Sequence, residues 1–220
     1  MEVLLTMACL RVKTRKNSIY EYGPTDPEIV EIYIRYITRT RTYDKCPPAY
    51  VHYLGFKPYS TIENLIDEFF QTQIIYRQLS GVRARHEWIS FMEGETLDCN
   101  GRQRVVDIAY QFALWYFKQG FQVIFAIHTD TKYLHIHYVI NTVNFITGRK
   151  YHSNQNVLGD EWSYLNDIVK AVTGRRNTVD LADYVDCYNG IINEDDLLNT
   201  QKYMPLVQFG YVGRPEIIYQ

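Results

Sequence analysis

Along the chain, segments whose hydrophobic residues recur at helical spacing alternate with segments that have the pattern of a strand. Apolar residues at helical spacing predict helices near residues 26–40, 60–79, 102–119, 161–173 and 194–203. Runs rich in β-branched and aromatic residues predict strands near residues 2–13, 86–92, 121–128 and 134–144. The linker Thr129–Tyr133 is short, so the last two strands should pair as an antiparallel hairpin. This mixture predicts an α+β fold, in which an antiparallel β-sheet is flanked by helices.

Capping residues, prolines and glycines predict where two helices begin and where one long loop lies. Asp26 is predicted to cap the first helix, with Pro27 at its first position. Ser60-Thr61-Ile62-Glu63 is predicted to be a capping box that opens the second helix. Residues 41–59 contain three prolines and a glycine, which predicts a loop.

Length and composition support one domain over residues 1–220. The 220 residues are 46% hydrophobic with a net charge of −2, which is enough apolar material for a single core. No apolar run reaches the roughly 18–20 residues of a membrane helix. The four cysteines are far apart, as is typical of a cytoplasmic protein with free thiols.

Charge is distributed unevenly along this predicted domain. Residues 1–150 hold 18 basic and 15 acidic residues, whereas residues 151–220 hold 5 and 10. We interpret residues 151–220 as an acidic, helical C-terminal part of the same domain. An anionic ligand should therefore bind to the first 150 residues.

Three histidines form the most informative pattern. His135 and His137 lie two apart on one predicted strand and so point to the same face of the sheet. His128 ends the preceding strand, and hairpin pairing would bring it beside them. Three neutral imidazoles suit a divalent transition metal and leave coordination positions open, without selecting the metal. Asp130 either orients a histidine by accepting its second ring N–H or is an ordinary turn aspartate.

The same stretch resembles a motif of a known family. His128, His135 and His137, followed by Asn141, resemble the third motif of plasmid and transposon mobilisation relaxases, which are HUH endonucleases. Upstream, Arg35-Tyr36-Ile37-Thr38-Arg39 resembles the first motif, and His86-Glu87-Trp88-Ile89-Ser90-Phe91 is similar to the middle motif. The three matches occur in the family's order. The chain departs from many members in having Leu134, where proline often precedes the histidine pair.

The resemblance implies a fold and an activity. Relaxases of this kind have an antiparallel sheet with flanking helices, cut one DNA strand at an origin of transfer, stay joined to the 5′ phosphate through tyrosine, and later reseal the strand. Tyr36 is the expected nucleophile, with Tyr33 and Tyr43 as alternatives. The implied cofactor is a divalent metal ion, Mn²⁺ or Mg²⁺, with Zn²⁺ or Ni²⁺ also suited to imidazole. The implied partners are single-stranded origin DNA, an accessory DNA-binding protein and the secretion coupling machinery.

Basic and polar residues near these motifs are the expected DNA contacts. Arginine suits phosphate recognition, and neighbouring tyrosines could stack on exposed bases. The expected DNA-binding residues are Arg35, Arg39, Arg41, Lys45, Arg85, His86 and Asn141.

Three other functions remain as alternatives. In a rolling-circle replication initiator the nucleophile follows the histidine motif on a helix, where this chain has Tyr164. A metal enzyme of the β-barrel type would need many regular strands and a late ligand. A DNA-binding accessory protein would not need three histidines. The position of Tyr36 before the histidines favours the relaxase.

Overall fold

The computed structural model of the chain describes residues 9–12, 25–42, 44, 46–90, 99–131, 134–152 and 155–173. Within these ranges lie five strands and four helices. In chain order they are β1 (Cys9–Val12), α1 (Ile29–Thr38), β2 (Tyr50–Leu54), α2 (Ile62–Ile75), β3 (Ala84–Ser90), α3 (Cys99–Lys118), β4 (Val123–His128), β5 (His135–Asn141) and α4 (Gln155–Thr173).

The five strands form one sheet in the order β1-β3-β5-β4-β2, and each neighbouring pair is antiparallel. The predicted α+β fold is confirmed. The predicted hairpin of β4 and β5 is also confirmed, with His128 opposite His135. Because β5 is the central strand, the histidine motif lies in the middle of the sheet.

Strand alternation gives the sheet two different buried faces. One face carries Ala126 and Val139 and packs against α1 and α2. The opposite face carries Ile136 and Tyr138 and packs against α3 and α4. The side chains of His128, His135 and His137 alternate with that second set, so they lie on the face covered by α1 and α2.

Residues 41–59 were predicted to form a loop throughout, and this prediction is wrong in one respect, because they contain the strand β2. The strand begins two residues after Pro48 and ends before Gly55, whose φ is +84°. Its sequence Tyr-Val-His-Tyr-Leu suits a strand and pairs with β4 at the edge of the sheet. The proline and glycine on either side obscured this five-residue strand in the sequence.

The starts of both early helices also differ from the prediction. α1 begins at Ile29, with Glu28 at its N-cap and no side-chain cap hydrogen bond. Asp26 instead contributes its backbone carbonyl, which accepts from Ile29 N at 3.2 Å. Thr61 caps α2 by accepting from Asn64 N at 3.3 Å, whereas the Ser60 hydroxyl donates to the Lys57 carbonyl. The predicted helix at 194–203 lies outside the described residues.

A buried polar cluster links α4 to the sheet, on the face opposite to α1 and α2. Arg85 donates to Glu87 on its own strand and, through Nη2, to Glu161 Oε2 of α4 at 2.6 Å. Tyr116 donates to Glu87 Oε2 at 2.6 Å, and Tyr151 donates to Glu161. Burial, followed by the charge of Glu87, raises the pKa of Glu161 to about 7. Arg85 is therefore buried and paired inside the protein, which does not favour the predicted DNA contact.

Asn141 is equally buried, at the end of β5 that lies under α2. Its Nδ2 donates to the Phe69 carbonyl at 3.1 Å and to Gln122 Oε1 at 2.8 Å. Its Oδ1 accepts from Gln73 Nε2 and from Val143 N, both at 3.1 Å. All of its hydrogen-bonding capacity is used inside the protein, which does not favour the predicted DNA contact at Asn141.

No helix in the described part of the chain is both long enough and apolar enough to cross a membrane.

Candidate active site

The three histidines converge at one end of the central hairpin. His128 is the last residue of β4 and His135 the first of β5, and their ring centroids are 5.2 Å apart. The ring of His137 lies 4.7 Å from that of His128 and 4.9 Å from that of His135. All three are buried, and one nitrogen from each lies within 4.8 Å of the others. The prediction that these three histidine side chains lie together is therefore confirmed.

The ring of His128 is held by α1. Its Nε2 lies 2.6 Å from the carbonyl oxygen of Ile37, which can only accept a hydrogen bond. Nε2 must therefore carry the proton, and Nδ1 keeps the lone pair, which accepts from Arg39 Nη2 at 3.1 Å. Burial, and then the nearby His135, lower the pKa of His128 to about 3. The ring is neutral at physiological pH.

His137 offers an unpaired nitrogen inside the site. Its Nδ1 lies 3.0 Å from Nε2 of His86, while its own Nε2 is buried without a hydrogen-bond partner among the described residues. Burial, and then the charges that His128 and His135 would carry, hold its pKa well below the usual range. On the third ring, Nδ1 of His135 lies 3.4 Å from the Thr131 hydroxyl.

These three residues fit a divalent cation. The rings of His128 and His137 stay neutral, which is the form that binds metal. In each ring, one nitrogen contacts a protein group and the other remains as the possible metal ligand, as is usual for metal-binding histidines. A buried, unpartnered nitrogen such as His137 Nε2 is unfavourable unless something binds it. Arg39 competes with a metal for His128, because its guanidinium occupies the lone pair of that ring.

Tyr36 lies directly over the histidines. It projects from α1 with its ring centroid 5.2 Å from that of His137 and 6.3 Å from that of His128, in edge-on contacts. Its ring is half-buried, between the sheet and solvent. The guanidinium carbons of Arg39 and Arg41 lie 5.2 and 4.8 Å from the ring centroid. The Tyr36 ring, two guanidinium groups and the imidazoles of the histidine motif thus share one small region.

Asp130 does not orient His128, because both ring nitrogens of that histidine have other partners. Its carboxylate accepts from Arg39 Nη2 at 2.6 Å instead. The pairing depends on the backbone of Arg39, which ends α1 in the left-handed conformation with φ 54° and ψ 41°. This conformation turns the arginine back over the sheet, where it pairs with Asp130. These contacts do not support orientation of His128 by Asp130, and orientation of another histidine stays a prediction.

The remaining expected DNA contacts divide into different environments. Arg35 pairs with Glu31 of its own helix and with Glu63 of α2, and both glutamate side chains are exposed. Arg41 pairs with Asp44 at 2.6 Å while lying over Tyr36. His86 is buried beneath α1, which does not favour the predicted DNA contact. Lys45 and Tyr43 lie outside the described residues.

Sequence reasoning missed two partners of the histidines. The Ile37 carbonyl has no signature in the sequence, since it is a backbone group at the end of a helix. His86 does have one, because it shares a strand face with Trp88, which lies opposite His137 in the register of β3 and β5. Pairing the two strands in the correct register would have brought His86 diagonally beside His137.

Comparisons with known proteins give consistent matches. Residues 36–168 match the family described as "Relaxase: MobA/VirD2-like, nuclease domain". Two proteins of Staphylococcus aureus, each named "Protein rlx", are 34% identical to this chain over 87 residues, or 40% of its length. The aligned segment spans 26% of each relative. The family match begins at Tyr36 and includes the three histidines.

Proposed function

The chain belongs to the relaxase family with a MobA/VirD2-like nuclease domain, and from this membership we propose that it nicks one DNA strand at an origin of transfer for plasmid or transposon mobilisation. The observation that carries the proposal is the position of Tyr36, with its ring in contact with those of His128 and His137. The nick would leave a covalent 5′-phosphotyrosine.

In this proposal the oxygen of Tyr36 attacks the scissile phosphorus. A bond forms between that oxygen and the 5′ phosphate, the bond from phosphorus to the 3′ oxygen breaks, and the departing 3′ oxygen gains the proton that the phenol loses. One phosphodiester is exchanged for another, so resealing needs no external energy source. Arg39 and Arg41 place two positive charges beside the ring that must carry negative charge during attack.

His128, His135 and His137 would hold a divalent cation, for which we propose Mn²⁺ or Mg²⁺ in the cell. When bound there, it supplies positive charge to the non-bridging phosphate oxygens. Their burial keeps His128 and His137 neutral, so the lone pairs need not be freed from protons first.

The proposed substrate is single-stranded DNA at the origin. The guanidinium carbons of Arg41 and Arg39 lie 4.8 and 5.2 Å from the centroid of the Tyr36 ring, and Lys45 remains an expected phosphate contact. An accessory DNA-binding protein and the secretion coupling machinery would act with the protein in the cytoplasm. Arg35 bridges two glutamates, whereas Arg39 and Arg41 each pair with one aspartate and also lie over the Tyr36 ring, so we propose Arg39 and Arg41 as phosphate contacts ahead of Arg35.

The structure argues against the two catalytic alternatives. Tyr164 lies on α4 and packs near Trp115, on the opposite face of the sheet from the histidines. A replication initiator using Tyr164 would need its nucleophile on the other face. The sheet of five described strands is open, with β1 and β2 at its edges, which does not suit a β-barrel enzyme.

Formation of the covalent adduct tests the proposal. The chain is incubated with Mn²⁺ and a 3′-labelled single-stranded DNA library of random sequence, and a denaturing gel reveals labelled protein. The 3′ label is needed because tyrosine retains the 5′ phosphate of the downstream fragment. Tyr36→Phe should abolish the labelled band, whereas Tyr33→Phe, which removes the same atom from the same helix, should retain it.

Peptide mapping distinguishes the ways in which the proposal would fail. A normal yield of adduct in Tyr36→Phe, mapped to Tyr33 or Tyr43, would replace the nucleophile and keep the relaxase. An adduct mapped beyond residue 150 would favour the initiator. An absence of adduct in the parent chain across the library would reject the nicking activity.

A further inference from the structure

We propose that Arg39 and the divalent cation compete for one nitrogen, Nδ1 of His128, so that metal binding moves the Arg39 guanidinium off the histidine. The inference rests on the proposed function for the cation and for the consequence in catalysis. The competition itself follows from the contacts of Arg39 with His128 and Asp130.

His128 has one lone pair to offer, and the end of α1 determines which nitrogen carries it. Nε2 lies 2.6 Å from the Ile37 carbonyl oxygen, which only accepts, so Nε2 carries the proton of the neutral ring. The lone pair is therefore on Nδ1, and Arg39 Nη2 donates to it at 3.1 Å. Because one lone pair cannot bind a metal and accept this hydrogen bond together, the two cations exclude each other there.

Asp130 keeps Arg39 at the site whether or not it contacts His128. Nη2 carries two hydrogens, and the one not directed at His128 is left for Asp130 Oδ2, which lies 2.6 Å away. The left-handed backbone of Arg39 directs its side chain to this position. A guanidinium displaced from His128 can therefore retain its ion pair with Asp130.

The position on His128 leaves the guanidinium incompletely satisfied. Arg39 Nε is buried and has no hydrogen-bond partner among the described residues. A buried donor without an acceptor is unfavourable, so this arrangement is less stable than that of a fully paired arginine. Displacement also releases one Nη2 hydrogen close to the Tyr36 ring, where it would donate to a phosphate oxygen in the proposed reaction.

Two matched substitutions separate competition for His128 from a general effect of positive charge. Arg39→Met removes the donors and the charge while keeping an unbranched stem. Arg41→Met removes the same groups from a guanidinium at a similar distance from the Tyr36 ring, but one whose ion pair is with Asp44. Arg39→Gly is a second variant at the same position, since glycine readily adopts the left-handed backbone there.

Calorimetry with Mn²⁺ on the full chain measures the competition. Arg39→Met should bind Mn²⁺ about 10–100-fold more tightly than the parent, because no hydrogen bond from a charged donor must be broken first. Arg41→Met should bind at most about fivefold more tightly, as expected for one screened charge.

Long-range ¹H–¹⁵N correlation spectra of the metal-free chain give a readout that needs no cation. His128 should carry its proton on Nε2 in every variant. Its Nδ1 should resonate as a hydrogen-bond acceptor in the parent and in Arg41→Met. In Arg39→Met, the Nδ1 resonance should move toward that of a lone pair without a donor.

Each outcome decides the proposal separately from the nicking activity. Equal changes in Mn²⁺ affinity in Arg39→Met and Arg41→Met would overturn it, and so would an unchanged Nδ1 resonance in a folded Arg39→Met. If Arg39→Met fails to fold, the same two measurements on Arg39→Gly decide. A chain that meets both expectations but forms no DNA adduct would sustain the competition while rejecting the proposed function.

Discussion

Lowering the pH from 7.5 to 5.5 should weaken Mn²⁺ binding to this site far less than binding to an ordinary site of three histidines. Metal binds the neutral imidazole, so protons compete for each ligand. A histidine of ordinary pKa, about 6.5, is about nine-tenths neutral at pH 7.5 and about one-tenth neutral at pH 5.5. Three such independent ligands would together lose about a thousandfold in affinity.

The buried site should behave differently because two of its ligands do not take up protons in this range. Burial lowers the pKa of His128 to about 3 and that of His137 well below its usual range. A depressed pKa means that the ring is already neutral at pH 5.5, so no proton must leave before metal binds. The loss in affinity should therefore be at most the tenfold that a single ligand of ordinary pKa would contribute.

Isothermal titration calorimetry at pH 5.5, 6.5 and 7.5 measures the effect. Repeating each titration in buffers of different ionisation enthalpy counts the protons released, which should be at most about one per Mn²⁺. Circular dichroism at each pH controls for acid unfolding, and His135→Ala controls for binding elsewhere. A thousandfold loss with about three protons released at pH 5.5 would refute the burial argument.

Three further outcomes test the surroundings of the site. Since the pKa of Glu161 rises from 4.5 to about 7 on folding, the parent should lose about 2 kcal/mol of stability relative to Glu161→Gln between pH 5 and 7 in urea denaturation. Asn141→Ala should cost about 2–4 kcal/mol in the same assay through lost buried hydrogen bonds, while leaving the DNA affinity of the folded protein unchanged. Arg41→Ala should flatten the slope of log affinity against log salt by about one unit, and Arg35→Ala should leave it unchanged.

The sequence predicted the parts of the site that depend on local periodicity. Alternation along β5 put His135 and His137 on one face, and the short linker brought His128 beside them. Helical spacing put Tyr36 on the stripe of α1 that packs over the sheet. Each of these inferences needs only the neighbours of a residue along the chain.

The sequence did not reveal the contacts that depend on distant parts of the chain. Arg85 precedes His86, and alternation already puts it on the opposite face, but only the position of α4 shows why it is paired there with Glu161. Asn141 does share the face of His137, yet α2 covers that end of the sheet. The distance that a helix extends over a sheet is set by packing, which periodicity does not specify.

The left-handed backbone at Arg39 has a consequence for engineering this enzyme. A residue with a side chain pays about 1–2 kcal/mol for this conformation, and glycine does not. Selection for thermostability alone would therefore enrich Arg39→Gly, since it relieves strain at the end of α1. The enriched variants would lose the guanidinium that touches His128, Asp130 and Tyr36. A library built for a more robust enzyme should keep arginine at position 39 and be ranked by adduct yield after heating.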